Sequence, residues 1–199
     1  MNKIIAVAIS ILGLFSVRSQ ELEGTEFGVD LTFYASSSQI SSGTIGAGLK
    51  YGFKFGENFI AGPSVRYHRY WTNNTLTGQS AGFNIYGGGV FGHARFYNYL
   101  FLGAEIEFLR SPFTNFGTVN TATTGQWVGT CLIGGGFSRE FNESIRVNAG
   151  VYYDILDVPN PSNPNNPNPN SPLQPYLARN ANGTVIPILY RIAFFFPLT

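Results

Sequence analysis

Charged side chains at the spacing of a β-strand are the residues of this sequence that could do chemistry. Glu105 and Glu107 are two positions apart, as are Arg66 and His68. Since side chains of a strand alternate between its two faces, each pair lies on one face. The residues between them are apolar, which predicts that the charged groups face the inside of a closed sheet.

Charges of both signs belong to this inward polar set. An isolated charge in a low-dielectric interior is costly unless it is paired, so we interpret the set as a buried ion-pair and hydrogen-bond network that fills the lumen. The alternative is a narrow polar path or a small ligand cavity, favoured by inward glycines that leave unfilled volume. The polar set is Asp30, Lys50, Lys54, Arg66, His68, Arg95, Glu105, Glu107, Arg146, Asp154 and Arg191. The glycines are Gly46, Gly48, Gly52, Gly62, Gly103 and Gly150.

Eight alternating segments position these residues. In the last one, Tyr190 and Ile192 fall on one side and Arg191 on the other. None has an apolar run long enough for a membrane helix, and each is near the ~9–11 residues that a tilted strand needs to cross a bilayer. The glycine runs at 87–89 and 134–136 indicate a bulge or bend, or small residues on the inward face. The segments are 26–35, 44–55, 59–71, 83–96, 100–109, 126–141, 145–155 and 186–196.

The composition favours a surface that faces lipid. Charged residues are 12% of the chain, about half the usual share of a soluble domain, whereas aromatics are 16%. A soluble β-sandwich could carry the alternation, but its exposed face would be richer in charge. The net charge of +1 argues against a nucleic-acid partner. Cys131, the only cysteine, excludes an intramolecular disulfide and is interpreted as a small apolar strand residue.

The connections alternate in length. Short turns on one side and long loops on the other are typical of a membrane barrel, with the long loops extracellular. The sequence therefore predicts an all-β fold, an eight-stranded antiparallel transmembrane up-and-down β-barrel. The tight turns are 56–58, 97–99 and 142–144, and the longer connections are 36–43, 72–80, 110–125 and 156–183.

The N-terminal residues have the pattern of a cleavable signal peptide. Lys3 precedes an apolar stretch, 4–15, and small residues follow. We place the cleavage site after Ser19. The predicted domains are the signal peptide, 1–19, and one barrel domain, 20–199.

The mature chain resembles the small outer-membrane β-barrel superfamily of the eight-stranded OmpA, OmpX and OmpW type, through its layout rather than a motif. The cleavage site before Gln20 and the frequent Tyr, Asn and Gly are similar to those of members from the Bacteroidetes. The resemblance implies location in the Gram-negative outer membrane, contact with its lipid and lipopolysaccharide, and assembly by the barrel-insertion machinery. Such chains often end on phenylalanine, whereas here Phe196 is followed by Pro197, Leu198 and Thr199.

Some barrels of this size act on lipid A, through a histidine with a serine or an acid near the outer rim. His68 lies on the outer half of its strand and Asp154 at a similar height, but no serine-containing signature flanks His68. His93 lies toward the periplasmic end. Neither histidine belongs to a cluster with metal-ligand spacing. The sequence thus predicts no catalytic residue, no cofactor and no metal site.

Outward aromatic residues mark the two rims. Tyr67 and Trp71 lie near one rim, and Phe96, Tyr97 and Tyr99 near the other. We interpret them as interfacial girdles rather than as a platform for stacking sugars or bases.

The connection before the last strand holds an unusual segment, 159–175, rich in proline and asparagine. Proline excludes a helix or a central strand, so an extended, polyproline-like conformation is expected. The segment is either a variable surface loop or a semi-rigid arm that contacts a protein, a glycan or a neighbouring barrel. Phe113 and Phe116 stand in another long loop. The prolines of the candidate partner loop are Pro159, Pro161, Pro164, Pro167, Pro169, Pro172 and Pro175.

The functional prediction is a non-catalytic outer-membrane barrel with a structural or surface-interaction role, acting through its extracellular loops and as a candidate subunit of a larger complex. A narrow pore or carrier for small solutes is the alternative, and a lipid A-modifying enzyme comes third.

Deletion of 159–175 tests whether this segment is separate from the barrel. We expect the shortened protein to keep its resistance to SDS until it is heated, because a surface loop adds nothing to the closed sheet. The measurement is the gel shift between unheated and heated samples. Loss of that shift would show that the segment is structural.

Overall fold

A computed structural model describes residues 22–36, 40–74, 78–111, 126–141, 144–156, 178–179, 185–186 and 188–198. The predicted signal peptide, 1–19, the proline-rich segment, 159–175, and the loop residues Phe113 and Phe116 lie outside these ranges, as does most of the predicted turn at 142–144.

Strands make up nearly all of the described chain. Eight long strands form the main sheet and two very short ones pair with each other. The long strands are β1 (Leu22–Ser36), β2 (Ile40–Phe55), β3 (Phe59–Asn74), β4 (Gln79–Phe96), β5 (Leu100–Ser111), β6 (Gln126–Phe141), β7 (Ile145–Asp154) and β10 (Ile188–Leu198), and the short ones are β8 (Ala178–Arg179) and β9 (Val185–Ile186).

The eight long strands close into a barrel in the order β1-β10-β7-β6-β5-β4-β3-β2. Each of them pairs antiparallel with its chain neighbour, and β1 closes the ring against β10, from Thr25 opposite Leu198 to Leu31 opposite Ile192. Closure leaves no edge strand, so no row of backbone groups stays unpaired. The predicted eight-stranded antiparallel barrel is confirmed.

Within the described part of the chain, no helix has both the length and the apolar character needed to cross a membrane.

Alternation of side chains divides the wall into two faces. On β5, Glu105 and Glu107 are buried, whereas Ile106 and Phe108 are 47% and 59% exposed. Because the strand repeats every two residues, one slip in register would exchange these faces. The exposed side of the barrel is therefore apolar and the buried side holds the charges.

Two of the predicted long loops are shorter than expected. The β1–β2 ladder continues to Ser36 opposite Ser42, and the β3–β4 ladder continues to Asn74 opposite Gln79. The predictions of loops over 36–43 and 72–80 were therefore wrong in extent. Serine, threonine and asparagine show no apolar alternation there, but their backbone groups still form the ladder. Similarly, β8 within the predicted 156–183 loop pairs with β9.

The tight turns at 56–58 and 97–99 are present as predicted. Tyr97 and Asn98 both have positive φ angles, 49° and 62°, and the Tyr99 backbone N–H donates to the Phe96 carbonyl at 3.0 Å. This left-handed pair matches the twist of the flanking strands. We call the end of the barrel with these turns the turn end, and the opposite end the loop end.

Neither glycine run contains a bulge, since the ladders through 87–89 and 134–136 are continuous on both sides. The prediction of a bulge was therefore wrong, whereas the alternative of small inward residues agrees with the inward positions of Gly89 and Gly136. A Cβ on Gly89 would lie 1.9 Å from the Ile106 carbonyl oxygen, and one on Gly136 would lie 2.1 Å from a carbonyl oxygen of β7. Neighbouring backbones approach the inner face so closely that only glycine fits.

Alanine at Gly89 is therefore expected to destabilise the barrel by about 1–3 kcal/mol, the usual cost of overpacking. Gly92→Ala on the same strand is the control, because its Cβ would meet nothing closer than 3.4 Å. Urea unfolding in lipid vesicles measures both variants. Equal stability of the two would contradict the close-approach explanation.

Candidate functional site

Six charged side chains from five strands meet in the middle of the lumen. Their charges balance, with three carboxylates and three cations, and all are at most 4% exposed. We call this group the central cluster. Its members are Asp30, Lys50, Arg66, Glu105, Glu107 and Arg191.

Arg66 has the most contacts in the central cluster. Its Nη1 and Nη2 donate to the two carboxylate oxygens of Asp30 at 2.6 and 2.8 Å, a bidentate pair. Its Nε donates to Glu107 Oε1 at 2.7 Å, and Nη2 also lies 3.4 Å from Glu105 Oε2. The planar guanidinium suits this role, since its donors form a rigid fork that matches carboxylate geometry.

Glu105 forms ion pairs with the other two cations of the central cluster, Lys50 and Arg191. Lys50 Nζ donates to Glu105 Oε1 at 2.6 Å and lies 3.2 Å from Asp30 Oδ2. Arg191 Nη1 donates to the remaining oxygen, Oε2, and Arg191 Nη2 donates to Glu107 at 3.0–3.1 Å. Both oxygens of Glu105 are thus neutralised.

The central cluster ties together opposite walls of the barrel. Asp30 lies on β1 and Glu105 on β5, which are four strands apart around the ring in either direction. Arg66, on β3, contacts both walls. The cluster therefore crosses the lumen instead of lying along one side.

His93 extends this network towards β7. Its Nε2 lies 3.3 Å from Glu105 Oε1 and 3.1 Å from Tyr152 Oη, and its Nδ1 lies 3.4 Å from Asn148 Nδ2. Because a carboxylate only accepts, Nε2 carries the proton and Nδ1 accepts from Asn148. Tyr152 was not assigned to the lumen from the sequence. Its inward position could have been predicted, because side chains alternate along a strand and the next residue, Tyr153, faces outward.

Two separate ion pairs lie near the turn end. Arg95 donates to both oxygens of Glu26 at 2.7 and 2.9 Å, across the lumen from β4 to β1. Arg146 donates to Glu140, and to Asn98 Oδ1 at 2.7 Å. Glu26 and Glu140 were missed in the sequence, although Glu26 has the same parity as inward Asp30.

A recess of about 470 Å³ opens at the turn end beside these pairs. Lys54 lines a smaller neighbouring recess with Glu57. Among the described residues no ion pair joins Lys54 to a carboxylate, so the structure does not bring it into the central cluster. Arg95 and Arg146 line both recesses.

The two other predicted lumen residues, His68 and Asp154, are also buried on the inward face. His68 is fully buried, and its Nδ1 occupies the space over Gly46, 2.1 Å from where a Cβ would stand. Asp154 Oδ1 accepts from the backbone N–H groups of Cys131 and Leu156 at 3.1 and 3.0 Å. Asp154 therefore caps the end of β7.

The inward glycines do not leave empty volume, contrary to the prediction from sequence. Side chains of other residues cover Gly46, Gly48, Gly52, Gly103 and Gly150 at 2.1–2.8 Å from the Cβ position, and the Tyr51 carbonyl covers Gly62 at 1.9 Å. The missing Cβ makes room for large neighbours.

Apolar side chains fill the rest of the lumen. One buried cluster, which includes Ile85, Leu109 and Leu189, and a second, which includes Ile60 and Phe195, complete the packing around the charges. The described interior therefore combines charge-balanced ion pairs with apolar packing.

In the described part of the chain, no three histidine, cysteine or acidic side chains are grouped so that they could hold a metal ion.

Comparison with known proteins adds one structural likeness. No family model matches the chain, and no curated protein sequence matches it. The backbone structure of the Yersinia pestis outer membrane protein Ail in a phospholipid bilayer nanodisc is similar over 88% of this chain and 100% of that chain, with 12% identity and a TM-score of 0.49. The closed strand pairing of this chain itself defines the fold.

Glu105→Gln should destabilise the barrel strongly, because it leaves Lys50 and Arg191 without their shared carboxylate. Breaking a buried pair on one side costs about 3–5 kcal/mol. Urea unfolding in vesicles, followed by tryptophan fluorescence, measures the change. Glu57→Gln, in an exposed turn, is the control and should change little.

A second variant separates charge from shape. Lys50→Met combined with Glu105→Gln restores a balanced cluster of two carboxylates and two arginines, so it should recover part of the lost stability. No recovery would show that packing, and not charge balance, determines the effect.

Proposed function

We propose that this protein is an outer-membrane β-barrel with a sealed lumen, which anchors its loops at the cell surface for structural or binding purposes. The observation that carries the proposal is a belt of exposed apolar side chains to which all eight long strands contribute. Its members include Phe33, Ile45, Val65, Val90, Leu102, Phe108, Ile133, Phe137, Val151 and Tyr190.

The belt fits a lipid environment. The largest apolar patch on a soluble monomer covers a few hundred Å² at most, whereas this belt surrounds the barrel. The polarity is also the reverse of a soluble protein, since the carboxylates are inside and the aliphatic groups outside. A bilayer solvates the outer face, and closure satisfies the backbone, as a membrane-spanning sheet requires.

Placement in the outer membrane rests on the predicted leader, 1–19, together with this barrel. An exported chain that closes into a lipid-facing sheet is inserted by the barrel-assembly machinery. The tight turns then face the periplasm and the loop end faces outward.

A surface role is supported by the loop end itself. Beyond the apolar belt, the β1–β2 ladder continues to Ser36 opposite Ser42, and the β3–β4 ladder continues to Asn74 opposite Gln79. The residues of these terminal pairs are polar. Hydrogen-bonded hairpins that stand in water present a fixed shape to a partner at low entropic cost. The proline-rich 159–175 segment is a second candidate for contact with a protein partner.

The narrow pore is less well supported. Ion pairs cross the lumen at two levels, the central cluster and the Arg95–Glu26 pair, and side chains cover the inward glycines. A catalytic role is also less well supported, because Asp154, the acid considered together with His68, accepts from two backbone N–H groups.

Reconstitution tests both parts of the proposal. The purified chain should insert into phospholipid vesicles, migrate faster on SDS gels before heating than after, and leave planar bilayers without discrete conductance steps. Failure to insert would contradict the membrane assignment. Regular single-channel steps at low protein load would instead overturn the sealed lumen and support the pore.

A further inference from the structure

Charge is segregated between the two faces of the barrel wall. The acidic side chains described on strands all lie on the inward face, and they are Glu26, Asp30, Glu105, Glu107, Glu140 and Asp154. Three described arginines point outward, namely Arg69, Arg110 and Arg139. The lumen is thus charge-balanced, whereas the described lipid-facing wall carries only positive charge.

Two of these arginines belong to one continuous surface at the loop end. Tyr67, Tyr86, Arg110 and Trp127 lie opposite one another in register across β3, β4, β5 and β6. Arg69 and Asn84, also paired across strands, stand one step closer to the loop end. We call these six residues the outer-rim patch.

Contacts within the outer-rim patch hold the arginines in place. Arg69 Nη1 donates to Asn84 Oδ1 at 2.6 Å, and Tyr67 Oη donates to the same oxygen at 3.0 Å. Arg110 Nη1 donates to Tyr86 Oη at 2.8 Å. Each guanidinium has five N–H donors, so most of its hydrogen-bonding capacity is available for another acceptor.

No carboxylate in the described part of the chain neutralises this patch. Among the described residues, neither Arg69 nor Arg110 forms an ion pair, whereas Arg66, Arg95, Arg146 and Arg191 inside the barrel all do. An outward cation in a lipid environment needs an anion, and the anions available at a membrane surface are headgroup phosphates.

The height of the patch matches the headgroup level. Arg69 is ten residues beyond Phe59 on β3, and Arg110 is ten residues beyond Leu100 on β5. At ~3.3 Å per residue and a tilt of ~40°, this spacing is roughly 25 Å, the height of the apolar band of a membrane barrel. Both arginines therefore reach the opposite interface from the turns.

We propose that the outer-rim patch binds a phosphorylated glycolipid of the outer leaflet through two phosphates on one sugar headgroup. The backbone positions of the two arginines are two strand spacings apart and offset along the strands, roughly 12 Å in all. Phosphates at the two ends of a disaccharide span such a distance, whereas a glycerophospholipid has one phosphate. Trp127, 61% exposed and edge-on to Tyr86 at 6.3 Å, offers an apolar face to the sugar.

This inference rests on the proposed membrane location, so insertion is scored first by the gel shift on heating. The barrel is then placed in phosphatidylcholine nanodiscs that contain a disaccharide lipid with two phosphates, the same lipid with one phosphate, or phosphatidylglycerol at equal charge. Glycolipid retained per barrel after a detergent wash is counted by native mass spectrometry.

The wild-type barrel should retain the two-phosphate lipid about tenfold more than either other lipid, a ratio expected from one charge-assisted contact. Arg69→Gln with Arg110→Gln should lose that preference. Arg139→Gln removes an outward arginine near the turn end, beside Phe141, and should keep the preference, which makes it the matched control.

Three outcomes would overturn the inference. Equal retention by the double variant would show that the arginines do not bind the lipid. Equal retention of phosphatidylglycerol would show a general anionic-lipid surface instead of a glycolipid site. A barrel that inserts but retains no lipid overturns this inference alone, whereas one that fails to insert contradicts the proposed function as well.

Discussion

The bidentate pair of Arg66 and Asp30 is the interaction on which the interior of this barrel depends. A guanidinium that is 4% exposed is tolerated only if several acceptors surround it, and Asp30, Glu107 and Glu105 supply them from both sides of the lumen. Removing one partner would leave a buried charge uncompensated. The ionic centre therefore constrains strand register, since a slip of one residue would move its members to the lipid side.

Glycine makes that ionic centre geometrically feasible. Eight strands leave an interior just wide enough for side chains, and this barrel has long arginine, lysine, tyrosine and phenylalanine side chains inside. Gly46 and Gly48 face His68 and Asp30, whose atoms occupy the space a Cβ would take. Large and small residues alternate around the ring, so the lumen packs without voids over the glycines. A packed, charge-balanced centre makes a rigid support for the loops.

The wall is consequently specialised on its two faces. Among the described residues, each arginine inside the barrel has a carboxylate, whereas the contacts of the arginines of the outer-rim patch are with tyrosine and asparagine. The inward charges are engaged with one another and stabilise the fold. The same strands place other charges on the opposite face, because successive side chains alternate between the two faces.

The period-two alternation of the sequence by itself determined the barrel, its strand number and the inward position of residues such as Glu105 and Arg191, because a strand has only two faces and the charged residues recur on one of them. The same parity could have assigned Glu26, Tyr152 and the outward arginines. The sequence did not determine the partners. Which cation meets which acid depends on the stagger of strands around the ring, and Asp30 and Glu105, 75 residues apart, are joined only after closure. Tertiary structure also decided the length of the hairpins, because a ladder through polar residues leaves no apolar alternation in the sequence. It likewise decided which glycines are covered, because close approach of neighbouring groups leaves no periodic signal in the chain.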